Sequence, residues 1–272
     1  LIDRGLPVYL LDWGEPDAAY RHVTLDDLIC GRLHRCLDAI RADAGVERIN
    51  LMGICQGGVF SLCYAALQPE RIGALLATVT PVDFHTADDL LSRLVRHIDI
   101  DRAVDVLGNV PGELLNSAFL ALKPFSLGIG KYRRAAGQLD ATDYLAEFAR
   151  LEQWIEDSPA QPGEVFRRFV RDFYQRNALL RGELLLDGRR VDLARITMPV
   201  LNVVAAADHL VPPAASRALA AAVGSDDYSE VELPGGHIGI YVAERARSPL
   251  AATIDNWLAA RAPRPTPIRV PG

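Results

Sequence analysis

The sequence predicts an α/β protein, in which a mostly parallel sheet carries helices on both faces. Short apolar runs of strand length alternate with segments in which apolar residues recur at helical spacing. One such run leads through a glycine-rich turn, residues 53–57, directly into a helical pattern. Strands that alternate with helices along a chain pair in parallel, because each helix crosses over and returns the chain to the same edge of the sheet.

Composition narrows the class of protein. The chain has 272 residues, 50% of them hydrophobic, which suits one large domain or one domain with an insertion. A net charge of -6 argues against a nucleic-acid partner, since nucleic acids require a basic face. No apolar run reaches membrane-spanning length. The four cysteines form no C-x-x-C pair and have no histidines at zinc-ligand spacing, which favours a reduced, cytosolic protein without a metal site.

The N-terminal part predicts one strand and one helix. Residues 6–13 form an apolar run between two glycines, which predicts a buried parallel strand. Thr24 is a candidate N-cap, with two aspartates in the first turn that follows it. Apolar residues then recur at helical spacing over residues 25–40, and Gly45 is a candidate C-terminal stop.

Residues 48–68 predict a strand, a sharp turn and a helix. Gly53 and Gly57 flank Cys55 at the spacing of a nucleophile elbow, in which a strained turn exposes one side chain at the edge of a sheet. Glycine is expected at both flanking positions, because a Cβ would clash with the neighbouring strand or the following helix. A five-residue match alone is weak, and the alternative is that Cys55 is a small buried apolar residue.

A long insertion follows the next predicted strand, residues 73–82. Residues 83–196 contain helical patterns but no strong buried strand. The helical patterns cover residues 88–98, 112–122, 143–155 and 163–175. An Asp-Gly turn within residues 183–192 predicts a small hairpin. The insertion predicts a cap or lid, the alternative being a structural subdomain with no gating role.

The sheet is predicted to resume after the insertion. The expected elements are a strand at residues 198–207, a helix at 212–222, a strand at 228–233 and a last helix at 248–260. The predicted domains are an α/β core of residues 1–82 and 197–261, a cap of residues 83–196, and a proline-rich tail of residues 262–272 with no reason to be ordered.

Cys55, Asp208 and His237 follow predicted strands in the order nucleophile, acid, histidine that is typical of α/β-hydrolases. Catalytic groups of such sheets project from the C-terminal ends of the strands. A free thiol with a pKa of about 8.5 is a weak nucleophile at neutral pH, so the helix N-terminus and His237 are expected to activate Cys55. Asp208 is expected to orient His237 and stabilise its cation.

An oxyanion hole and two accessory residues complete the predicted site. The backbone N–H of Gln56 is the expected first oxyanion donor. The second donor normally follows an earlier strand, which we expect to lie upstream of Leu1, because the chain does not begin with methionine. His209 adjoins Asp208 and is expected to have a structural or supporting role. Trp13 follows the first predicted strand. Its position is equally consistent with lining the active-site cleft and with packing against neighbouring side chains.

Cysteine in place of serine favours thioester substrates and transfer chemistry. An enzyme thioester stays activated enough to pass its acyl group to an alcohol, whereas a serine ester loses that driving force. Cysteine hydrolases also exist, so a cysteine-type thioesterase or hydrolase, with water as the acceptor, stays open. A third reading is a non-catalytic subunit that keeps the fold.

Seven segments resemble the catalytic subunit of class III polyhydroxyalkanoate synthases. They are residues 11–14 (LDWG), 53–58 (GICQGG), 80–84 (TPVDF), 109–116 (NVPGELLN), 122–126 (LKPFS), 208–213 (DHLVPP) and 234–242 (PGGHIGIYV). The similarity extends from residue 5 to about residue 261. It implies an acyltransferase of α/β-hydrolase fold that polymerises (R)-3-hydroxyacyl-CoA, chiefly 3-hydroxybutyryl-CoA, and releases CoA.

The resemblance also implies roles and partners. Cys55 matches the acyl-carrying nucleophile, His237 the general base and Asp208 the third catalytic residue, which either orients the histidine or activates the 3-hydroxyl of the substrate. The resemblance implies no cofactor besides the CoA thioester substrate, a homodimer, a separate non-catalytic subunit and residence on cytoplasmic polyester granules. The third interpretation of this chain, a non-catalytic subunit that keeps the fold, is likewise a granule-associated role.

Overall fold

Six strands are present in the computed structural model of the chain, which describes residues 1–138, 142–242 and 244–261. The strands are β1 (Ile49–Ile54), β2 (Ile72–Thr78), β3 (Leu185–Leu186), β4 (Arg189–Arg190), β5 (Val200–Ala205) and β6 (Tyr228–Leu233). Four of them form one parallel sheet in the order β1-β2-β5-β6, and β3 and β4 form a separate antiparallel hairpin. The predicted tail, residues 262–272, lies outside the described residues.

Helices connect and cover the strands. The α-helices are α1 (His34–Ala44), α2 (Gln56–Leu67), α3 (Leu90–Val95), α4 (Ile100–Leu107), α5 (Gly112–Leu122), α6 (Gly130–Ala136), α7 (Thr142–Glu156), α8 (Gly163–Arg168), α9 (Pro213–Arg217), α10 (Leu219–Ala222), α11 (Gly239–Val242) and α12 (Glu244–Ala259). Asp27–Leu33, Pro124–Ile129 and Phe169–Gln175 are π-helical, and short 3-10 turns occupy Ile2–Arg4, Ala18–His22, Pro69–Arg71 and Leu193–Arg195. None of the described helices is long and apolar enough to cross a membrane.

The sheet is buried on both faces, as the alternation of strands and helices predicts. Leu75 and its neighbour Val200 belong to the hydrophobic cluster that contains most of α2. Leu76 and its neighbour Leu201 belong to a second cluster, which contains residues of α12. Successive residues of a strand point to opposite faces, so the two clusters lie on opposite sides of one sheet.

The register aligns the strand ends that carry the candidate site. Ile54 pairs with Thr78 where β1 and β2 end, and Ala205 pairs with Leu233 where β5 and β6 end. All of these pairs are parallel, so the C-terminal ends of the four strands lie at the same edge of the sheet.

The strand predicted at residues 6–13 is wrong. These residues are in no strand, and Leu10 is 91% exposed. A strand requires a neighbour that accepts its backbone hydrogen bonds. Within the described residues, β1 is paired on one side only, with β2, and the apolar run does not pair with the free side of β1. Its hydrophobicity alone does not make it a strand.

Other predicted elements agree with the structure more closely. Thr24 caps its helix as expected, because its Oγ1 accepts a hydrogen bond from the N–H of Asp27 at 3.1 Å. Gly45 ends α1 in the left-handed conformation with a φ of 65°. The predicted helix at 112–122 coincides with α5, and the one at 163–175 with α8 and the π-helical segment that follows it.

The structure differs from the prediction in the strand before the insertion and in one helix within it. The strand expected at 73–82 ends at Thr78, because Val79 adopts a φ of 43°, outside strand geometry. Helix α4 was not predicted, although Asp99 caps it by accepting from the N–H of Arg102 at 3.1 Å. The division into an α/β core and a cap at residues 83–196, and any gating role of that cap, stay predictions.

The predicted hairpin is confirmed. Asp187 and Gly188 lie between β3 and β4 with φ angles of 50° and 68°. Positive φ at both central residues is the property of a type I′ turn, whose twist matches that of paired strands. Leu186 pairs with Arg189 across this turn.

Glycines allow the close contact between β1 and α2. A Cβ at Gly53 would lie 2.6 Å from the Gly57 carbonyl oxygen, and a Cβ at Gly58 would lie 1.8 Å from Thr80 Oγ1. A Cβ at Gly57 would meet nothing within 4 Å. The expectation of a clash is therefore confirmed at Gly53 and wrong at Gly57, because Gly57 faces open space and the crowded position is Gly58.

This difference predicts that two neighbouring alanine substitutions have different effects on stability. Gly58→Ala should lower the free energy of unfolding by about 1–3 kcal/mol, because the added methyl overpacks the contact with Thr80. Gly57→Ala, in the same turn of α2, is the matched control and should be neutral or slightly stabilising, because alanine favours a helix. Urea unfolding measures both. Equal destabilisation by the two variants would contradict this account of the packing.

Candidate active site

Cys55 occupies a strained turn between β1 and α2. Its backbone has φ 51° and ψ -119°, a combination that L-amino acids rarely adopt. The N–H of Cys55 donates to the Thr78 carbonyl at 3.0 Å, and the Cys55 carbonyl accepts from the N–H of Val59 at 3.1 Å. The side chain is half-buried. This is the geometry of a nucleophile elbow, with the thiol presented at the end of the sheet.

Gln56 is the first residue of α2. The N–H groups in the first turn of a helix have no acceptor within the helix, and they lie at the positive end of its dipole. The N–H of Gln56 is therefore available beside the Cys55 thiol, where an oxyanion donor is expected. Its role in stabilising an oxyanion stays a prediction, and no second donor is assigned among the described residues.

Asp208 is held by the loop that follows β5. Its side chain is fully buried. Oδ1 accepts hydrogen bonds from the N–H groups of Leu210 at 2.9 Å and Val211 at 3.0 Å. Two backbone donors compensate for burial of the carboxylate and leave Oδ2 directed at His237.

His237 lies in the loop between β6 and α11. Its Nδ1 is 2.7 Å from Asp208 Oδ2, and its side chain is only 11% exposed. The carboxylate is an acceptor, so Nδ1 carries a proton and Nε2 is left for the hydrogen bond with Cys55. The N–H of Ala207 donates to the Gly235 carbonyl at 2.8 Å, which joins the loops of Asp208 and His237.

The surroundings of His237 favour its protonated form. Burial is the largest single influence and opposes the charge. The hydrogen bonds to Asp208 and Cys55, together with the negative charges of both groups, outweigh it and raise the pKa of His237 from 6.5 to about 10. A histidine that is protonated at neutral pH beside a thiol is the arrangement that activates a cysteine nucleophile.

The structure therefore brings together Cys55, His237 and Asp208, the three residues that the sequence singled out. Cys55 interacts with His237, and His237 with Asp208. Such a chain of contacts supports nucleophilic attack by a thiolate, with the imidazole transferring the proton. Their catalytic roles stay predictions.

His209 and Trp13 differ in their relation to this chain. His209 Nε2 is buried without a hydrogen-bond partner among the described residues. Burial lowers the pKa of His209, and the nearby charge of Lys123 lowers it further. Trp13 is 37% exposed, and no hydrogen bond or ring contact joins it to the three residues within the described part of the chain. His209 adjoins Asp208, and its supporting role stays a prediction. Trp13 belongs to the segment wrongly predicted as a strand, and whether it lines the cleft or packs also stays a prediction.

Two tyrosines near Cys55 were missed by the sequence reasoning. Burial raises the pKa of both Tyr174 and Tyr241, and the charge of Cys55 raises each pKa further. Tyr241 follows His237 at the spacing of one helical turn. This spacing is the signal in the sequence that could have placed it near the candidate site. Tyr174 lies in the insertion, and only tertiary contacts bring it to the sheet edge.

No group of three or more His, Cys, Asp or Glu side chains within residues 1–138, 142–242 and 244–261 is arranged to hold a metal ion.

Comparison with known proteins places the chain in a family. The family model for the alpha/beta hydrolase fold matches residues 1–244. The poly(3-hydroxyalkanoate) polymerase subunit PhaC of Allochromatium vinosum is 54% identical over 258 residues, which cover 95% of this chain and 73% of that protein. The proteins of the same name from Thiocystis violacea and Synechocystis sp. are 49% and 44% identical, and the matches cover 73% and 71% of those proteins.

Solved structures agree on the fold. A monoacylglycerol lipase from Paleococcus ferrophilus superposes with a TM-score of 0.54 at 18% identity, over 89% of this chain and 77% of that one. The putative non-heme bromoperoxidase BpoC from Mycobacterium tuberculosis superposes with a TM-score of 0.52 at 14% identity, over 89% and 76%. At these identities the likeness concerns the fold alone.

The elbow at Cys55, the parallel sheet and the identity to the PhaC subunits all agree with the resemblance found in the sequence. The chain has the α/β-hydrolase fold and belongs to the PhaC family of poly(3-hydroxyalkanoate) polymerase subunits.

Proposed function

We propose that the chain is an acyltransferase that polymerises (R)-3-hydroxyacyl-CoA, chiefly 3-hydroxybutyryl-CoA, into polyhydroxyalkanoate through a covalent thioester at Cys55. The observation that carries the proposal is the continuous set of contacts from Cys55 through His237 to Asp208, on a nucleophile elbow. Membership of the PhaC family supports the substrate class.

In the first half-reaction, the thiolate of Cys55 attacks the carbonyl carbon of the acyl-CoA thioester. A new C–S bond forms to Cys55, and the C–S bond to CoA breaks. The imidazolium of His237 supplies the proton that the CoA thiolate takes up on leaving. The N–H of Gln56 is the proposed donor to the oxyanion, and one such donor is typically worth about 3 kcal/mol of transition-state stabilisation.

Acylation then changes the basicity of His237. Two of the influences that raise its pKa, the hydrogen bond and the charge of Cys55, depend on the thiolate. A thioester carries no charge, so the pKa of His237 falls once Cys55 is acylated, and the neutral imidazole becomes a base. It can now remove the proton of the 3-hydroxyl of the acceptor. The hydroxyl oxygen attacks the Cys55 thioester, an ester bond forms, and the thiolate is regenerated beside the imidazolium.

The burial of Asp208 favours the orienting role over direct activation of the substrate hydroxyl. Its side chain is fully buried, Oδ1 accepts two backbone hydrogen bonds and Oδ2 contacts His237. A substrate hydroxyl would have to displace one of these partners. We therefore propose that Asp208 acts through His237.

The proposed polymerase has further properties that follow from the family resemblance. It needs no cofactor besides the CoA thioester that is its substrate. It works as a homodimer with a separate non-catalytic subunit, at the surface of cytoplasmic polyester granules. A thioesterase would share Cys55, His237 and Asp208 but pass the acyl group to water, and a non-catalytic subunit would not be acylated at Cys55.

Replacement of the nucleophile tests the reaction. Cys55→Ala should reduce CoA release from 3-hydroxybutyryl-CoA by at least about 1,000-fold, because no other group on the elbow can form the thioester. Cys36→Ala, on α1, is the matched control and should retain activity. Both are assayed with and without a co-expressed partner subunit. Unchanged CoA release in Cys55→Ala would overturn the proposal.

Product sizing in the same assay separates the candidate functions. Polymer supports the proposed transferase, whereas free 3-hydroxybutyrate identifies a hydrolase. Failure of the protein to release CoA or to label at Cys55 with a thioester analogue, with the partner subunit present, identifies a non-catalytic subunit.

The change in His237 basicity can be measured directly. In the unmodified protein, imidazole NMR should show His237 protonated at pH 7–9, since its pKa is raised to about 10. Alkylation of Cys55 with iodoacetamide, or Cys55→Ala, should lower the titration midpoint of His237, because the hydrogen bond and charge of Cys55 no longer raise its pKa. The His237→Gln variant assigns the resonance among the six histidines. Identical midpoints before and after alkylation would contradict the mechanism.

Asp208→Asn tests the orienting role. The amide removes the negative charge beside Nδ1 and permits the wrong tautomer, so both CoA release and alkylation of Cys55 should slow, CoA release by about 100-fold or more. If Asp208 acted only on the 3-hydroxyl of the acceptor, Cys55 would be alkylated at the wild-type rate and only chain elongation would slow. Rapid-quench measurement of the first acylation distinguishes the two outcomes.

A further inference from the structure

Tyr241 reaches from the histidine segment to the end of a neighbouring strand. It lies on α11, which follows the His237 loop. Its hydroxyl donates a hydrogen bond to Oγ1 of Thr78, the last residue of β2, at 2.7 Å. Apart from the interaction of His237 with Cys55, no other hydrogen bond of the described residues joins the segment 234–242 to the elbow or to β2.

Thr78 in turn holds the N-terminal side of the strained turn at two points. It is fully buried, and its Oγ1 donates to the Gly53 carbonyl at 3.2 Å. Its own carbonyl accepts from the N–H of Cys55 at 3.0 Å. A positive φ at a non-glycine residue persists only where several contacts enforce it, and Thr78 supplies two of these contacts.

Tyr241 is suited to remain a donor in this place. Its ring packs against the same hydrophobic cluster as the side chain of Cys55. Burial raises the pKa of Tyr241, the hydrogen bond with Thr78 lowers it, and the charges of Cys55 and Asp208 raise it. The net effect is a raised pKa, so the phenol keeps its proton near neutral pH. The hydrogen bonds from Tyr241 to Thr78 and from Thr78 to Gly53 run in one direction, and each polarises the next.

We infer that Tyr241 is a positioning residue that ties the His237 segment to the elbow through Thr78 and thereby sets the distance between His237 and the Cys55 thiol. The hydrogen bond with Asp208 fixes the orientation of the His237 imidazole. The hydrogen bond of Tyr241 fixes how closely the backbone of the His237 segment approaches the elbow. The inference rests on the proposed function, in which Cys55 is the nucleophile. Neither tyrosine nor threonine exchanges a proton with the substrate in this role.

Tyr241→Phe removes only the hydroxyl and keeps the ring. The readout is the rate of alkylation of Cys55 by iodoacetamide between pH 5 and 9, quantified on the Cys55 peptide by mass spectrometry. The variant should react about 3–10-fold more slowly near pH 6–7, the size expected for loss of one hydrogen bond. The shape of the pH profile should also differ from that of the wild type, because loss of the hydroxyl weakens the interaction of His237 with Cys55.

Variants of Thr78 test whether Tyr241 acts through the Thr78 hydroxyl. Thr78→Val should reproduce the effect of Tyr241→Phe, and the double variant should be no slower than Thr78→Val alone, because both changes break one chain of hydrogen bonds. Thr78→Ser keeps the hydroxyl and should retain the wild-type profile. Tyr228→Phe is the matched control: its hydroxyl accepts from Asn202 Nδ2 at 3.0 Å within the sheet, and its removal should leave alkylation unchanged.

The outcomes separate this inference from the proposed function. If wild-type Cys55 reacts no faster than Cys36 at neutral pH, the proposed nucleophile fails. If wild-type Cys55 is reactive and the Tyr241→Phe profile superimposes on it, the positioning role is overturned and the proposed function stands. A lower unfolding midpoint with unchanged alkylation also overturns the positioning role, because it assigns the hydroxyl to stability alone.

Discussion

The backbone conformation of Cys55 is the constraint on which the candidate site depends. A φ of 51° is costly for any residue with a Cβ, so the turn must be held from outside. Close contact of α2 with β1 at Gly53, and of α2 with Thr80 at Gly58, supplies part of that restraint. Thr78 holds the N-terminal side of the turn by bonding the Gly53 carbonyl and the N–H of Cys55, and the N–H of Val59 holds the other side by bonding the Cys55 carbonyl. The thiol is thereby presented beside the N-terminus of α2 before any substrate arrives.

Electrostatic compensation links this turn to the other two residues. A carboxylate as deeply buried as that of Asp208 would be unfavourable alone, and two backbone N–H groups and His237 offset its burial. The hydrogen bonds and negative charges around His237 raise its pKa to about 10, so its protonated form is favoured in the site. In the mechanism that we propose, the same imidazole gives a proton in one half-reaction and takes one in the next, because acylation of Cys55 changes its pKa.

Predictions made from a short stretch of sequence were correct where the stretch itself contains the physical reason for its conformation. Asp187 and Gly188 predict a type I′ turn because few residue pairs tolerate positive φ twice, and Gly45 predicts a helix end for a related reason. The strand predicted from the apolar run at residues 6–13 was wrong, because a strand requires a neighbouring strand to pair with, and an apolar composition does not supply one. The clash predicted for a Cβ at Gly57 was wrong, since the direction in which that Cβ would point depends on the surrounding fold.

By itself, the sequence determined the α/β fold, the identity and order of Cys55, Asp208 and His237, and the family. Strand periodicity, turn residues and long-range similarity are all properties that lie along the chain. Only the tertiary structure decided which groups surround the thiol. Tyr174 and Tyr241, the buried state of Asp208 and the raised pKa of His237 arise from contacts between segments far apart in sequence. Burial and charge act through space, and no spacing along the chain encodes them.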